Sequence, residues 1–174
     1  MLSGSFTEGV QAMAKAAIEY TGVKEVNFAV VVFPKSDQEI VPLVIADFAS
    51  SEAALITINN LKGLSNSGLE PSYDVRRAVA ERTLGLSYTA GSTKLLFMWT
   101  DESGQTFRIP LVHEEAVTQI IQATDLTFVA FVPQMCADSF DDIALASGGS
   151  IHALTDATSM SQTIINYVDL GCEE

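Results

Sequence analysis

Val26 to Phe33 reads V-N-F-A-V-V-V-F, and the fold follows from this stretch. Apolar side chains fill nearly every position, whereas a half-exposed strand alternates apolar and polar residues with period two. A strand covered on both faces reads this way. Thr93 to Thr100 (TKLLFMWT) is a second buried strand that ends at Asp101, and Leu126 to Val132 (LTFVAFV) is a third. Glu39 to Phe48 is more mixed and contains Pro42, which removes a ladder donor and points to a sheet edge. Ser150 to Leu154 completes the strands.

Helical patterns separate these strands. Phe6 to Tyr20 places Ala12, Ala16, Ala17 and Tyr20 on one face, with Thr7 or Ser5 as N-cap and Gly22 near the stop. Ser51 caps a helix through Leu61, with Leu55, Ile58 and Leu61 inward. Lys62 to Pro71 is a loop rich in Gly, Ser and Asn, and Pro71 suits the first turn of a helix to Leu84. Further helices are expected over Glu114–Ala123, from an Asp138 cap to Ser147 before Gly148-Gly149, and over Ser159–Val168. The run Ser147 to Ser150 (SGGS) follows a helix and precedes a strand, so it is a helix stop rather than a phosphate cradle.

Such alternation specifies one domain over residues 1–174, a three-layer α/β/α sandwich around a mainly parallel, Rossmann-like sheet with one antiparallel edge strand. The length of 174 residues and a hydrophobic fraction of 48% suit a single full-size core. Nine basic against 22 acidic residues leave a net charge of −13, which disfavours nucleic acid and anionic membranes as partners. No apolar run reaches the roughly 18–20 residues of a membrane span, and the start of the chain lacks the basic, apolar pattern of a signal peptide. Cys136 and Cys172 stand far apart and outside any zinc spacing, so two free thiols and one disulfide both remain open. No nucleophile elbow, Walker loop or dinucleotide fingerprint is present. Cys136 has only His152 following it as a base, and no enzyme is expected. His113 and His152 are isolated, and Met98 and Trp99 belong to the core.

In an open α/β sheet, ligands bind beyond the carboxyl ends of the strands. Three segments with oxygen donors would converge there: Ser3-Gly4-Ser5, the loop ending in Glu70, and Thr100-Asp101-Glu102. Hydroxyls and carboxylates of this kind suit a hard cation.

The order of LSGSF, VNFAVVVF, SGLEPSYDVRRAV, STKLLFMWTDESGQ, LTFVAFVP and DDIALASGGSIHAL resembles the von Willebrand factor A domain with its metal-ion-dependent adhesion site. The resemblance runs from Leu2 to about Val168. It implies that Ser3 and Ser5 stand for the two serines of the D-x-S-x-S motif and Asp101 for the aspartate after the fourth strand. Glu70, in an E-P-S-Y-D setting like that of integrin β chains, stands for the second-loop ligand, with Ser67 the weaker candidate. It implies Mg²⁺ or Ca²⁺, with Mn²⁺ as a further occupant, and a protein partner whose acidic side chain completes the shell. A secreted or cell-surface place follows from family habit, with a cytoplasmic one as alternative.

Two departures stand against the pattern. Met1 occupies the position of the first motif aspartate, and the strand that would precede it is missing. In the family that strand lies between those matching Val26–Phe33 and Thr93–Thr100. Three arrangements would account for this: a truncated chain, a strand supplied by a partner chain or a strand-swapped second copy, or a sheet closed over the gap. A fold kept as a scaffold with a metal-free site is the alternative function, and a small α/β hydrolase or nucleotide-binding enzyme is a more distant one.

Overall fold

The computed structural model describes residues 4–32, 43–61, 85–101, 118, 121–122 and 125–172. The protein is mixed α/β. The first helix, α1 (Gly4–Glu19), leads to β1 (Asn27–Val32), β2 (Leu43–Ser50) and α2 (Ser51–Leu61). Then come β3 (Lys94–Trp99), β4 (Leu126–Val132), a 3₁₀ turn (Gln134–Ser139), α3 (Asp141–Ala146), β5 (Ser150–Ala153) and α4 (Ala157–Cys172). Of the helix expected over 114–123, residues 118, 121 and 122 are described and are helical. The expected helix from Pro71 to Leu84 lies outside the described residues.

Among the described residues the strands form two sheets where the sequence led us to expect one. β3, β4 and β5 make a parallel sheet in the order β3-β4-β5, and β1 pairs antiparallel with β2. Register runs unbroken from Lys94↔Leu126 to Trp99↔Phe131 and from Val129↔Ser150 to Val132↔Ala153. β1–β2 is irregular, with register shifts between Phe28 and Val30 and between Val30 and Val31. Among the described residues β1 does not pair with β3. Between them runs a groove of about 880 Å³.

β4 shows why its sequence is apolar throughout. Leu126, Phe128, Ala130 and Val132 join a core with Ile121, Phe140, Ile143 and Ala144. The intervening Val129 and Phe131 join another, with Ala12, Ala16 and Tyr20 of α1 and Met160, Ile164 and Val168 of α4. Alternate side chains of one strand thus enter two cores, as a strand covered on both faces requires. β3 is less enclosed: Met98 is buried, but Leu95, Leu96, Phe97 and Trp99 are only half-buried, because one edge borders the groove.

A third core joins Val10, Ala14 and Ala17 of α1 to Val30 of β1 and to Ala54, Ile58 and Leu61 of α2. α1 therefore packs against both halves of the molecule. Its far end is tied to α4, where the Tyr20 hydroxyl donates to Asp169 Oδ1 at 2.8 Å with the Ile165 carbonyl at 3.1 Å.

Several helix starts differ from those expected. α1 already includes Gly4 and Ser5, so neither Ser5 nor Thr7 is its N-cap. Ser51 is the first residue of α2, buried, and its Oγ donates to the Tyr20 carbonyl at 2.7 Å. The capping contact comes from Ser50, whose Oγ accepts from Ala53 N at 3.5 Å. Asp138 lies inside the 3₁₀ turn, and α3 starts after Phe140 with no side-chain cap. α4 starts two residues before Ser159: Asp156 Oδ1 accepts from the Thr158 and Ser159 amides at 2.9 and 3.1 Å.

The stop at Gly148-Gly149 is as expected. Gly148 has φ +72°, and the Gly149 amide donates to the Ala144 carbonyl at 2.9 Å. A Cβ on Gly149 would fall 1.9 Å from the Phe128 carbonyl oxygen, inside the β4 backbone. We expect Gly149→Ala to destabilise by about 3 kcal/mol, at the upper end of overpacking costs. Gly148→Ala, which meets nothing within 4 Å, should cost about 1 kcal/mol for its left-handed backbone. Urea denaturation of both variants measures the difference, and equal losses would show that β5 can move off β4.

Candidate functional site

The carboxyl edge of the parallel sheet is assembled from β3, α1 and the start of α4. The Thr100 amide donates to the Phe131 carbonyl at 3.3 Å, which carries the β3–β4 ladder one step past Trp99. The next residue, Asp101, is exposed at the strand end. Its carbonyl accepts from Cys136 Sγ at 3.6 Å, so the turn is anchored to the 3₁₀ segment after β4.

α1 reaches the same edge through a close contact. A Cβ on Gly9 would lie 2.8 Å from Trp99 Cγ, so only glycine lets the helix settle on this indole. The ring also stacks on Phe131 at 5.4 Å and 8°. One residue before Gly9, Glu8 Oε2 accepts from the Ala157 amide at 2.9 Å. This carboxylate satisfies an orphan donor at the α4 N-terminus, where negative charge is favourable. Lys15 Nζ, further along α1, donates to Thr158 Oγ1. The first turn of α1 and the end of β3 are thereby fixed on one edge.

Of the residues expected to hold a cation, Asp101 lies on this edge and the backbone of Ser5 lies in the first turn of α1. Ser3, Ser67 and Glu70 lie outside the described residues. Among the described residues no group of three or more His, Cys, Asp or Glu gathers. Asp101 thus supplies one hard oxygen donor of the kind Mg²⁺ or Ca²⁺ takes, and Glu8 is committed to α4. Asp156 is engaged as a cap. Hydrogen bonds from the Ser159 hydroxyl and amide hold its carboxyl below the usual range, a helix-start effect.

Sequence reasoning missed a polar trio that joins β5 to α4. Ser150 Oγ lies 2.7 Å from His152 Nε2 and 2.6 Å from the Tyr167 hydroxyl. The signal was available: residues i and i+2 of a strand share a face, and Ser150 and His152 have that spacing. His152 also stacks on Phe131 at 5.6 Å and meets Tyr167 edge-on at 6.3 Å. Tyr167 shares the serine hydroxyl rather than orienting the imidazole, so the trio lacks the base–orienter geometry of nucleophilic catalysis. It is a satisfied, half-buried network.

The Cys136–His152 pairing is ruled out by placement. Cys136 packs with Phe128, Ala130 and Val132, whereas His152 lies against Phe131, which enters the other core. The sheet stands between them. Cys136 is buried and Cys172 exposed, both as free thiols. No helix among the described residues is long and apolar enough to cross a membrane.

No family model matches this chain, and no curated protein matches it either.

Burial lowers the His152 pKa from its ordinary 6.5. The folded protein therefore binds fewer protons than the unfolded chain between the lowered value and 6.5. This contribution to stability is complete above pH 6.5 and is lost as pH falls through the window beneath it. We expect the melting temperature to fall between pH 7.5 and 5.5, with a shallower slope in His152→Gln. Parallel slopes in the two proteins would remove His152 as the cause.

Proposed function

We propose that this chain is a non-enzymatic protein-interaction module of the von Willebrand factor A type, a three-layer α/β/α sandwich that binds its partner at the carboxyl edge of the sheet. In this reading a divalent cation, Mg²⁺ or Ca²⁺ with Mn²⁺ as a substitute, is held by Ser3, Ser5, Glu70 and Asp101. Ser67 serves where Glu70 does not. The partner's acidic side chain provides the last donor. Oxygen donors of this kind fit a hard cation, and the acidic character of the chain suits cation binding at a secreted or cell-surface location.

The observation that carries the reading is the meeting of the α1 start and Asp101 at one edge, fixed by the Gly9–Trp99 approach and the Glu8–Ala157 hydrogen bond. A second reading rests on Met1, which puts a thioether where the motif has a carboxylate. A thioether is a poor donor to a hard cation, and the domain would then be a metal-free scaffold or assembly piece.

Calorimetric titration with MgCl₂ and CaCl₂ separates the two. The metal-dependent reading expects weak binding that Asp101→Ala reduces tenfold or more, about 1.4 kcal/mol or greater, as befits a lost charge-assisted contact. Absence of heat and of any thermal shift at millimolar metal would leave the scaffold reading. Met1→Asp together with an upstream strand, which restores a carboxylate at the head of the motif, should tighten binding by a similar factor. If affinity does not change, Ser3-Gly4-Ser5 is not a cation loop.

A further inference from the structure

The groove between β1 and β3 touches every successive residue from Asn27 to Val31 and from Leu95 to Trp99. Side chains of a strand alternate between faces. A cavity lining one face would meet every second residue, so this one runs along the two strand edges. It also crosses the sheet layer. Met13, Ala16, Ile164 and Val168 of α1 and α4 line it on one side. Leu96 and Tyr88, which also line it, pack on the other side with the core of Phe128 and Phe140. The result is a slot bounded by two strand edges and covered above and below.

Both edges end their ladders there. Among the described residues β1 pairs only with β2 and β3 only with β4. Both strands also begin at the same end. Thr93, just before β3, donates to the Gly171 carbonyl at the end of α4. Tyr20, shortly before β1, bonds Asp169 in the same last turns of that helix. Trp99 lies in the slot wall, and among the described residues its buried indole N–H has no acceptor.

We propose that this slot receives an extended, apolar β-strand from a separate, non-acidic polypeptide, which pairs with β1 on one edge and β3 on the other. The backbone of the incoming strand supplies the acceptors and donors that two open edges call for. Its side chains are apolar at successive positions, because the slot is covered on both sides. Six residues, the length of β1 and of β3, span about 20 Å at roughly 3.3 Å per residue. Charge selects the source. Each copy of this chain carries −13, so two copies repel through their net charge as they approach, whereas a neutral or basic donor does not meet that repulsion. The charged groups of the slot, Lys24, Glu25 and Lys94, sit at the end where both strands begin, which leaves the rest of the walls apolar.

The test uses the full chain and a synthetic peptide with a six-residue Val/Ile core and lysine-rich tails. Its control is the same peptide N-methylated at alternate core amides, which keeps side chains and charge but removes backbone donors. Amide hydrogen exchange is read at residues 28–31 and 95–98. The parent peptide should slow exchange at alternate amides of both segments by tenfold or more, and the control should not. Protection at one segment only, or at neither, overturns the proposal. Equal protection by the control would show an apolar pocket for side chains or small ligands and not a strand acceptor. A peptide-free protein that sediments as a dimer with these amides already protected would identify a second copy as the occupant and overturn it as well.

Discussion

The structure depends on a helix that can be approached closely from two sides. α1 buries Ala12 and Ala16 against β4 and α4, and Ala14 and Ala17 against α2 and β1. Small side chains on both flanks let one cylinder serve two cores without leaving voids between rigid neighbours. Because the described strands of the two sheets do not pair with each other, packing on α1 takes the place of a continuous backbone ladder between β1 and β3. The Gly9–Trp99 contact belongs to the same arrangement. A methyl group at Gly9 would push the helix off the end of β3 and disturb both cores together.

The same docking sets the candidate edge. Asp101 gains its place from the strand that Trp99 ends, and the α1 start gains its place from Glu8 at the head of α4. A chain of packing contacts therefore connects the alanine-rich face of the first helix to the polar end of the sheet. The groove shares these supports, since Met13 and Ala16 form part of its wall.

Much of the fold was legible because it is written as periodicity. Continuous apolar runs identified β1, β3 and β4, and the alanines at 12, 16 and 17 identified the buried face of α1. The mixed stretch after Pro42 pointed to an antiparallel edge strand of the parallel sheet; β2 is antiparallel, but its partner is β1, in a pair separate from β3-β4-β5 among the described residues. The helix starts were less legible. Ser51 has the residue type of a cap but spends its hydroxyl on the Tyr20 carbonyl, a partner 31 positions away. Asp156, the cap of α4, was passed over because Ser159 lies three residues on and is itself the donor to its carboxylate. A capping residue is defined by which amide it meets, and residue type alone does not say that. The candidate site was legible only as residue types at strand ends. The contacts that bring α1 and β3 to one edge involve Glu8, Gly9 and Trp99, none of which stands in a motif. The Ser150–His152–Tyr167 network was hidden for the same reason, since Tyr167 reaches it from another element.

The pairing of α1 with α4 also bears on how the molecule forms. Tyr20 bonds Asp169 across 149 positions and Lys15 bonds Thr158 across 143, so the first helix completes its packing against the last. Contacts of such sequence separation require a long loop to close before they give any return, and they slow folding. On the ribosome, α1 and the β1–β2 pair emerge well before α4 exists to cover Ala12 and Ala16. The early chain therefore carries an apolar helix face and open strand edges for the whole time of synthesis, at about 5–20 residues per second. That interval exposes it to aggregation and to chaperone binding, and it ends only when the final helix closes over the first.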